Sequence, residues 1–231
     1  MKIHSPRTQL IWLTTLMVIT TLAACCQVRQ PQPQSTPYND EPIWENAAIV
    51  PVFVDLTRKI PGLMTDVRYA TNQNFTRQIL YDSATPYLVA PAADSLVAVQ
   101  NELKRMGLQL VVFDGYRPLS VQKKMWAVYP DSRFVANPAN GSRHNRGCAI
   151  DLTLADSLGH LLEMPTDYDD FTEKAGASFM DLPSVAIQNR ALLKQVMERH
   201  GFIGLGSEWW HFDFQGWQNY PLSDIPVEPG D

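Results

Sequence analysis

The chain has 231 residues, of which 45% are apolar, 10% aromatic and 19% charged. That is ordinary globular composition, and it excludes collagen, wholesale disorder and a polytopic membrane protein. Lys plus Arg number 19 against 24 Asp plus Glu, a formal charge of −5 that offers nucleic acid no basic surplus, and 3 Cys are too few for a disulfide scaffold.

The first segment reads as an address. Lys2 and Arg7 open it, and no further lysine, arginine or acidic residue follows until Arg29. Between them runs an apolar stretch from Leu10 to Leu22, diluted by threonines, which is the pattern of an export signal over 1–24. It closes in Leu22-Ala23-Ala24-Cys25, which looks like a bacterial lipobox. In that reading the chain is cut before Cys25, and acylation of Cys25 anchors an exported, periplasmic lipoprotein to a membrane face. Ala23 and Ala24 also suit an ordinary signal peptidase that releases a soluble form, and an uncleaved single span is the plainest alternative. Residues 25–43, rich in Pro and Gln, read as an extended tether, so the folded part is expected over 44–231.

Within that part no internal repeat or second linker is found. Asp94 or Ser95 is placed to cap a helix carrying Leu96, Val99, Leu103 and Met106, with Gly107 as its stop. Leu108 to Phe113 reads as a buried strand that ends in the turn Asp114-Gly115-Tyr116-Arg117-Pro118. Ser120 is expected to cap a short helix through Val128, and Ala149 to Leu154 alternates as a strand with Asp151 and Thr153 on one face. A helix opens at Pro183-Ser184, with Ile187, Ala191, Leu192 and Val196 expected on its buried side and Gly201 beyond its end. His200 in its last turn suits the helix dipole. Trp209 to Phe214 reads as an aromatic strand. The sum is an α+β single domain with a small, antiparallel-rich sheet flanked by helices.

Chemistry concentrates at strand ends. His144, Asp151 and His211 together offer two imidazoles and a carboxylate, a set that suits zinc and leaves a fourth position for water. Glu208, three residues before His211, is placed to move a proton at that water. Spacing alone leaves the plain alternatives standing: His144 as a loop hydrogen-bonder, His211 as a satisfied strand residue, Trp209 and Trp210 as core, and Arg117 as half of a structural salt bridge. Cys148 reads as a small, buried hydrophobe, with a fourth ligand or a nucleophile as its other options.

Four separated segments resemble the zinc D,D-peptidases of the VanX type, in their D-alanyl-D-alanine dipeptidase branch. They are Arg68-Tyr69-Ala70-Thr71-x-x-Asn74-Phe75, Asp114-Gly115-Tyr116-Arg117-Pro118, Ser142-x-His144-x-x-Gly147-x-Ala149-x-Asp151 and Glu208-Trp209-Trp210-His211, and they span about Asp66 to Phe214. The resemblance implies the zinc D,D-peptidase (hedgehog-like) fold and one zinc ion per chain on His144, Asp151 and His211. It also implies Glu208 as general base and acid, and Arg117 as the group that orients substrate and stabilises the oxyanion. For substrate binding it points to Tyr69, Ser142 and Asp169, with Asp167 and Asp170 as chemically identical neighbours and Pro165 where the family pattern has Gly. The implied reaction is zinc-dependent hydrolysis of the free dipeptide D-alanyl-D-alanine. The rivals are a D,D-carboxypeptidase acting on stem peptides of the cell wall and a non-catalytic, lipid-anchored wall-binding module.

Overall fold

The structure, a computed structural model, describes residues 49–226. The expected signal (1–24), the lipidation site Cys25, the tether (25–43) and residues 44–48 and 227–231 of the expected domain lie outside the described residues.

The β-branched run after Gly107 forms β4 (Leu108–Asp114), and the alternating run after Cys148 forms β5 (Ala149–Asp156). They pair antiparallel at the centre of a five-stranded sheet. β2 (Met64–Thr65) joins β4 in parallel on one side. On the other side β5 pairs antiparallel with β7 (His211–Phe214), which pairs antiparallel with β6 (Phe202–Gly204). The sheet order is therefore β2-β4-β5-β7-β6, antiparallel except at β2. A separate two-stranded ribbon joins β1 (Phe53–Asp55), followed by the short helix α1 (Leu56–Lys59), to β3 (Tyr87–Val89).

The helices correct the reading in detail. α2 (Ala90–Arg105) begins a turn before Asp94, because Pro91 is favoured in a first helical turn, where its missing N–H is no loss. Asp94 is thus interior and pairs with Lys59 at 2.7 Å. Gly107 follows the helix with φ of 74°, the left-handed stop expected of it, and Met106 is the half-exposed cap instead of a core residue. α3 (Leu119–Val128) starts at Leu119, and its capping acceptor comes from far along the chain: Ser120 N–H donates to Asp224 Oδ1 at 2.7 Å. α4 (Ser184–Arg199) buries Ala186, Arg190, Leu193, Val196 and Met197, so the buried stripe is rotated from the expected one and Ile187, Ala191 and Leu192 are only partly covered. His200 caps α4 and meets Glu102 of α2 at 2.7 Å. Trp209 and Trp210 stand in the turn before β7, not in the strand.

The core lies between sheet and helices. Leu96, Val99 and Leu103 of α2 pack with Leu110, Val112, Ile150, Leu152 and Leu154 of the central strands and with Leu193, Val196 and Met197 of α4. Fully burying a side chain of this kind contributes about 1.5–3 kcal/mol. Gln100 on α2 also reaches the sheet, where its Oε1 accepts the Leu110 N–H at 2.9 Å, just before β2 takes over that edge of β4. Among the described residues no helix is long and apolar enough to cross a membrane.

Candidate metal centre and active site

Sheet register builds the site. Asp151 on β5 is the Cα partner of His211 on β7. A register shift between Val112 and Asp114 brings Asp114 opposite Asp151, so three polar residues stand in one row across β4, β5 and β7. The second imidazole arrives on the loop that feeds β5. His144 opens a 3-10 turn, His144–Arg146, which closes on Gly147 with φ of 65°. A Cβ at Gly147 would also stand 2.5 Å from Phe53 Cε1, so this position needs glycine for both reasons. Asn145, fully buried, ties the turn down: its Oδ1 accepts the Ser142 N–H at 2.7 Å and its Nδ2 donates to the Arg117 carbonyl at 2.8 Å.

One ligand atom from each of His144, Asp151 and His211 lies within 4.8 Å of the others, and all three residues are buried. The outer contacts fix the tautomers. His144 Nδ1 is 2.7 Å from the Gly115 carbonyl, which only accepts, so Nδ1 carries the proton and Nε2 turns its lone pair inward. His211 Nε2 is 2.9 Å from Asp213 Oδ1, which leaves Nδ1 inward. Asp151 Oδ2 accepts the Tyr168 hydroxyl at 2.9 Å, so Oδ1 is the inward oxygen. The three inward atoms lie close: His144 Nε2 to His211 Nδ1 is 3.1 Å, His211 Nδ1 to Asp151 Oδ1 is 2.9 Å and His144 Nε2 to Asp151 Oδ1 is 3.4 Å. Two lone pairs and a carboxylate oxygen share such a spot only around a cation, which is either a proton on His211 or a metal ion. Burial acts to raise the Asp151 pKa, but the two imidazoles outweigh it and hold the carboxyl well below its ordinary range. Two nitrogens and one oxygen at this spacing fit zinc.

The remaining expected residues surround the same cavity of about 220 Å³, which Tyr69, Arg117, Ser142, His144, Asp151, Asp169, Glu208 and His211 all help to line. Glu208 Oε2 is 4.0 Å from His211 Nδ1. Burial first, and then the Asp151 carboxylate, push its carboxyl up to about 7 against the opposing pull of His211, His144 and Arg117. A carboxyl tuned there both takes and returns protons near neutral pH.

Arg117 is an ion pair and a cavity residue at once. Its Nε and Nη2 donate to Asp114 Oδ2 at 3.0 and 2.7 Å, and its Nη1 donates to Gln122 Oε1 at 2.8 Å. Asp114, with no exposed surface, also accepts the Tyr81 hydroxyl at 2.7 Å. The cation is thereby held rigid at the cavity wall.

Of the three neighbouring acids, Asp169 is the one that lines the cavity. The Tyr69 hydroxyl donates to it, 3.0 Å from each carboxylate oxygen. Asp169 sits at φ of 60°, a left-handed conformation that Asp tolerates better than most residues. Burial, then Asp151, push its carboxyl up to about 8. Asp167 is exposed, and Asp170 Oδ1 accepts the Thr172 N–H at 2.9 Å. Ser142 Oγ accepts the His144 N–H at 3.2 Å, so it braces the ligand turn as well as facing the cavity. Cys148 stands outside the cluster of ligand atoms, and burial pushes its thiol up to about 12, as befits a packing residue.

Sequence reading missed Tyr168, Asp213 and an aromatic pile at the cavity. Phe75, Tyr129, Phe134 and Phe171 come from three separate loops, with Phe134 and Phe171 stacked at 4.9 Å and Phe75 edge-on to Phe171 at 5.3 Å. The signal for Asp213 was present as His-x-Asp on a strand, since a period of two puts both side chains on one face. Tyr168 and the pile lie in irregular segments and had no periodic signal. The Asn74 of the first motif is a loop staple: its Nδ2 donates to the carbonyls of Arg68, Thr71 and Gln78 at 3.3, 2.8 and 2.8 Å.

Residues 51–225 match the family model Peptidase_M15, described as D-ala-D-ala dipeptidase. The D-alanyl-D-alanine dipeptidase of Escherichia coli (strain K12) is 38% identical over 169 residues, which cover 73% of this chain and 88% of that protein. The protein of the same name from Enterococcus faecium is 29% identical over 199 residues, 76% of this chain and 98% of that one. Among solved structures, VanYB in complex with D-alanine-D-alanine is 18% identical with a TM-score of 0.40, covering 60% of this chain and 77% of that chain.

Proposed function

This chain belongs to the D-alanyl-D-alanine dipeptidase family of peptidase M15, and from that premise we propose that it is a zinc metallopeptidase hydrolysing free D-alanyl-D-alanine to two D-alanines. The observation that carries this reading is the convergence, in one cavity, of the His144–Asp151–His211 cluster with Glu208, Arg117 and the Tyr69–Asp169 pair.

His144, Asp151 and His211 would hold one zinc ion per chain, which when bound polarises the scissile carbonyl and acidifies water. The chain's own groups then divide the work. Glu208 takes one proton from the attacking water and delivers it to the amide nitrogen as the C–N bond breaks, so that water is added across that bond. Arg117, fixed by Asp114 and Gln122, faces the oxygen on which negative charge develops, where a permanently charged, pre-oriented fork is most effective. Asp169, steadied by Tyr69, receives the substrate ammonium, and Ser142 contributes from the same wall. A carboxylate that demands a free ammonium beside the scissile bond, in a cavity of about 220 Å³, favours a dipeptide over a longer chain.

Glu208→Gln tests the assignment. It is expected to keep bound zinc while losing turnover by about 10²–10⁴-fold, the usual worth of positioned proton transfer. Turnover near the wild-type rate would remove Glu208 from the mechanism.

Upstream of residue 44 the proposal is export. Lys2 and Arg7, the apolar stretch and Leu22-Ala23-Ala24-Cys25 support a cleaved signal, lipidation of Cys25 and a tether holding the catalytic domain in the periplasm. An enzyme placed there meets dipeptide released from the wall, which supports a scavenging role. Fractionation of the wild type and Cys25→Ala is the check: membrane-bound activity that becomes soluble in the variant agrees, and cytosolic activity in the wild type contradicts.

A further inference from the structure

The three ligands lean on outer partners of different kinds. His144 donates to the Gly115 carbonyl and Asp151 accepts from the Tyr168 hydroxyl, both neutral groups. His211 leans on a full charge, Asp213 Oδ1, at 2.9 Å. The strand period puts Asp213 on the His211 face of β7, between its Cα partners Ala149 on β5 and Ile203 on β6, and it is 8% exposed. A carboxylate so enclosed is costly unless it is paired. Its second oxygen faces Arg143 Nε at 3.5 Å. The Arg143 guanidinium lies 4.7 Å from the centre of the Trp217 ring, which Arg146 also approaches at 5.5 Å. Arg143 immediately precedes His144. The residue next to one ligand therefore neutralises the carboxylate behind the other, tying the 3-10 turn to β7.

We propose that Asp213 and Arg143 form an outer pair that positions His211 for the metal: Asp213 holds the ring with Nδ1 inward, and Arg143 holds the carboxylate of Asp213 in place behind it. The proposal rests on the zinc reading given under Proposed function. Asp213 does not line the cavity, so it acts through His211 and is a positioning residue, while Arg143 also borders the cavity.

The test is zinc affinity, measured by competition with a chelator on the purified wild-type chain, Asp213→Ala, Asp213→Asn and Arg143→Gln, with thermal melting of each metal-free protein alongside. Asp213→Ala is expected to weaken zinc binding on the order of 10–100-fold. Asp213→Asn, whose amide oxygen still accepts the Nε2–H without the charge, should fall between Asp213→Ala and wild type, and Arg143→Gln should weaken binding in the same direction. A purely structural ion pair would lower melting and leave affinity alone. Wild-type affinity in Asp213→Asn and Arg143→Gln overturns the proposal, and these two decide it even where Asp213→Ala fails to fold. A wild-type chain that takes up no stoichiometric zinc overturns the metal reading and this inference with it. Stoichiometric wild-type zinc with unchanged variants overturns this inference alone.

Discussion

Asp151 and His211 are Cα partners across β5 and β7, and Asp151 Oδ1 lies 2.9 Å from His211 Nδ1. That contact joins the last residues of the third and fourth motif segments, 60 residues apart in sequence, through sheet register. It also sets a pH dependence. In the metal-free protein burial acts to lower the His211 pKa, but hydrogen bonds to Asp151 and Asp213 outweigh it and push it up to about 10. A metal ligand must give up that proton. Below about 10 the proton and the metal compete, so zinc affinity should rise with pH, by up to about tenfold per unit. Calorimetry in buffers of different ionisation heat should find about one proton released per zinc near neutral pH. Affinity independent of pH, with no proton release, would contradict this account of the site.

Tyr69→Phe removes the hydroxyl that donates to both oxygens of Asp169. With the substrate ammonium bound beside it Asp169 is ionised, and a hydrogen bond to a charged group contributes about 1.5–3 kcal/mol. The expected result is a KM for dipeptide raised about tenfold or more, with kcat much less affected, because the pair handles the ammonium and not the reacting carbonyl. Steady-state kinetics separates the two parameters, and a fall in kcat at unchanged KM would reassign Tyr69.

Arg117→Lys keeps the charge but loses the fork that spans Asp114 and Gln122. Turnover should fall by about 10²–10³-fold, the scale seen when one oxyanion donor is removed. Zinc content should stay at wild-type level, since Arg117 is not a ligand. Retained turnover in this variant would limit Arg117 to its structural ion pair.

Gly147→Ala places a Cβ on a residue with φ of 65° and 2.5 Å from Phe53 Cε1. Left-handed strain and overpacking together should cost about 1–3 kcal/mol and loosen the turn that carries His144. Melting of the metal-free variant reads the cost directly, and an unchanged midpoint would show that the turn relaxes without strain.

Much of this architecture is legible in sequence where a period or a glycine marks it. β4 and β5 announce themselves by β-branched and alternating runs, and Gly107 stops α2 with the left-handed φ expected of it. The metal cluster is legible through its residue types and through resemblance, since His144, Asp151 and His211 meet only by register and by a 3-10 turn that no local pattern encodes. Two-residue and three-residue strands such as β2, β3 and β6 are too short to show a period. The buried face of α4 is misplaced because Arg190 occupies it, donating to the Gly176 and Phe179 carbonyls at 2.9 and 2.8 Å, where pattern reading expects an apolar residue. Asp224 capping α3 and Tyr168 bracing Asp151 are long-range contacts made by loops, and hydrophobic periodicity carries no trace of them.

The most direct test of the central claim is to offer the purified chain, with and without chelator, D-Ala-D-Ala, L-Ala-L-Ala and an N-acylated D-Ala-D-Ala peptide, and to quantify released alanine. Cleavage of the free D,D-dipeptide alone, abolished by chelator and restored by zinc, is the predicted result. Release of D-alanine from the acylated peptide would contradict the demand for a free ammonium at Asp169 and make the enzyme a carboxypeptidase. No turnover of any substrate with zinc bound would leave a wall-binding module in place of an enzyme.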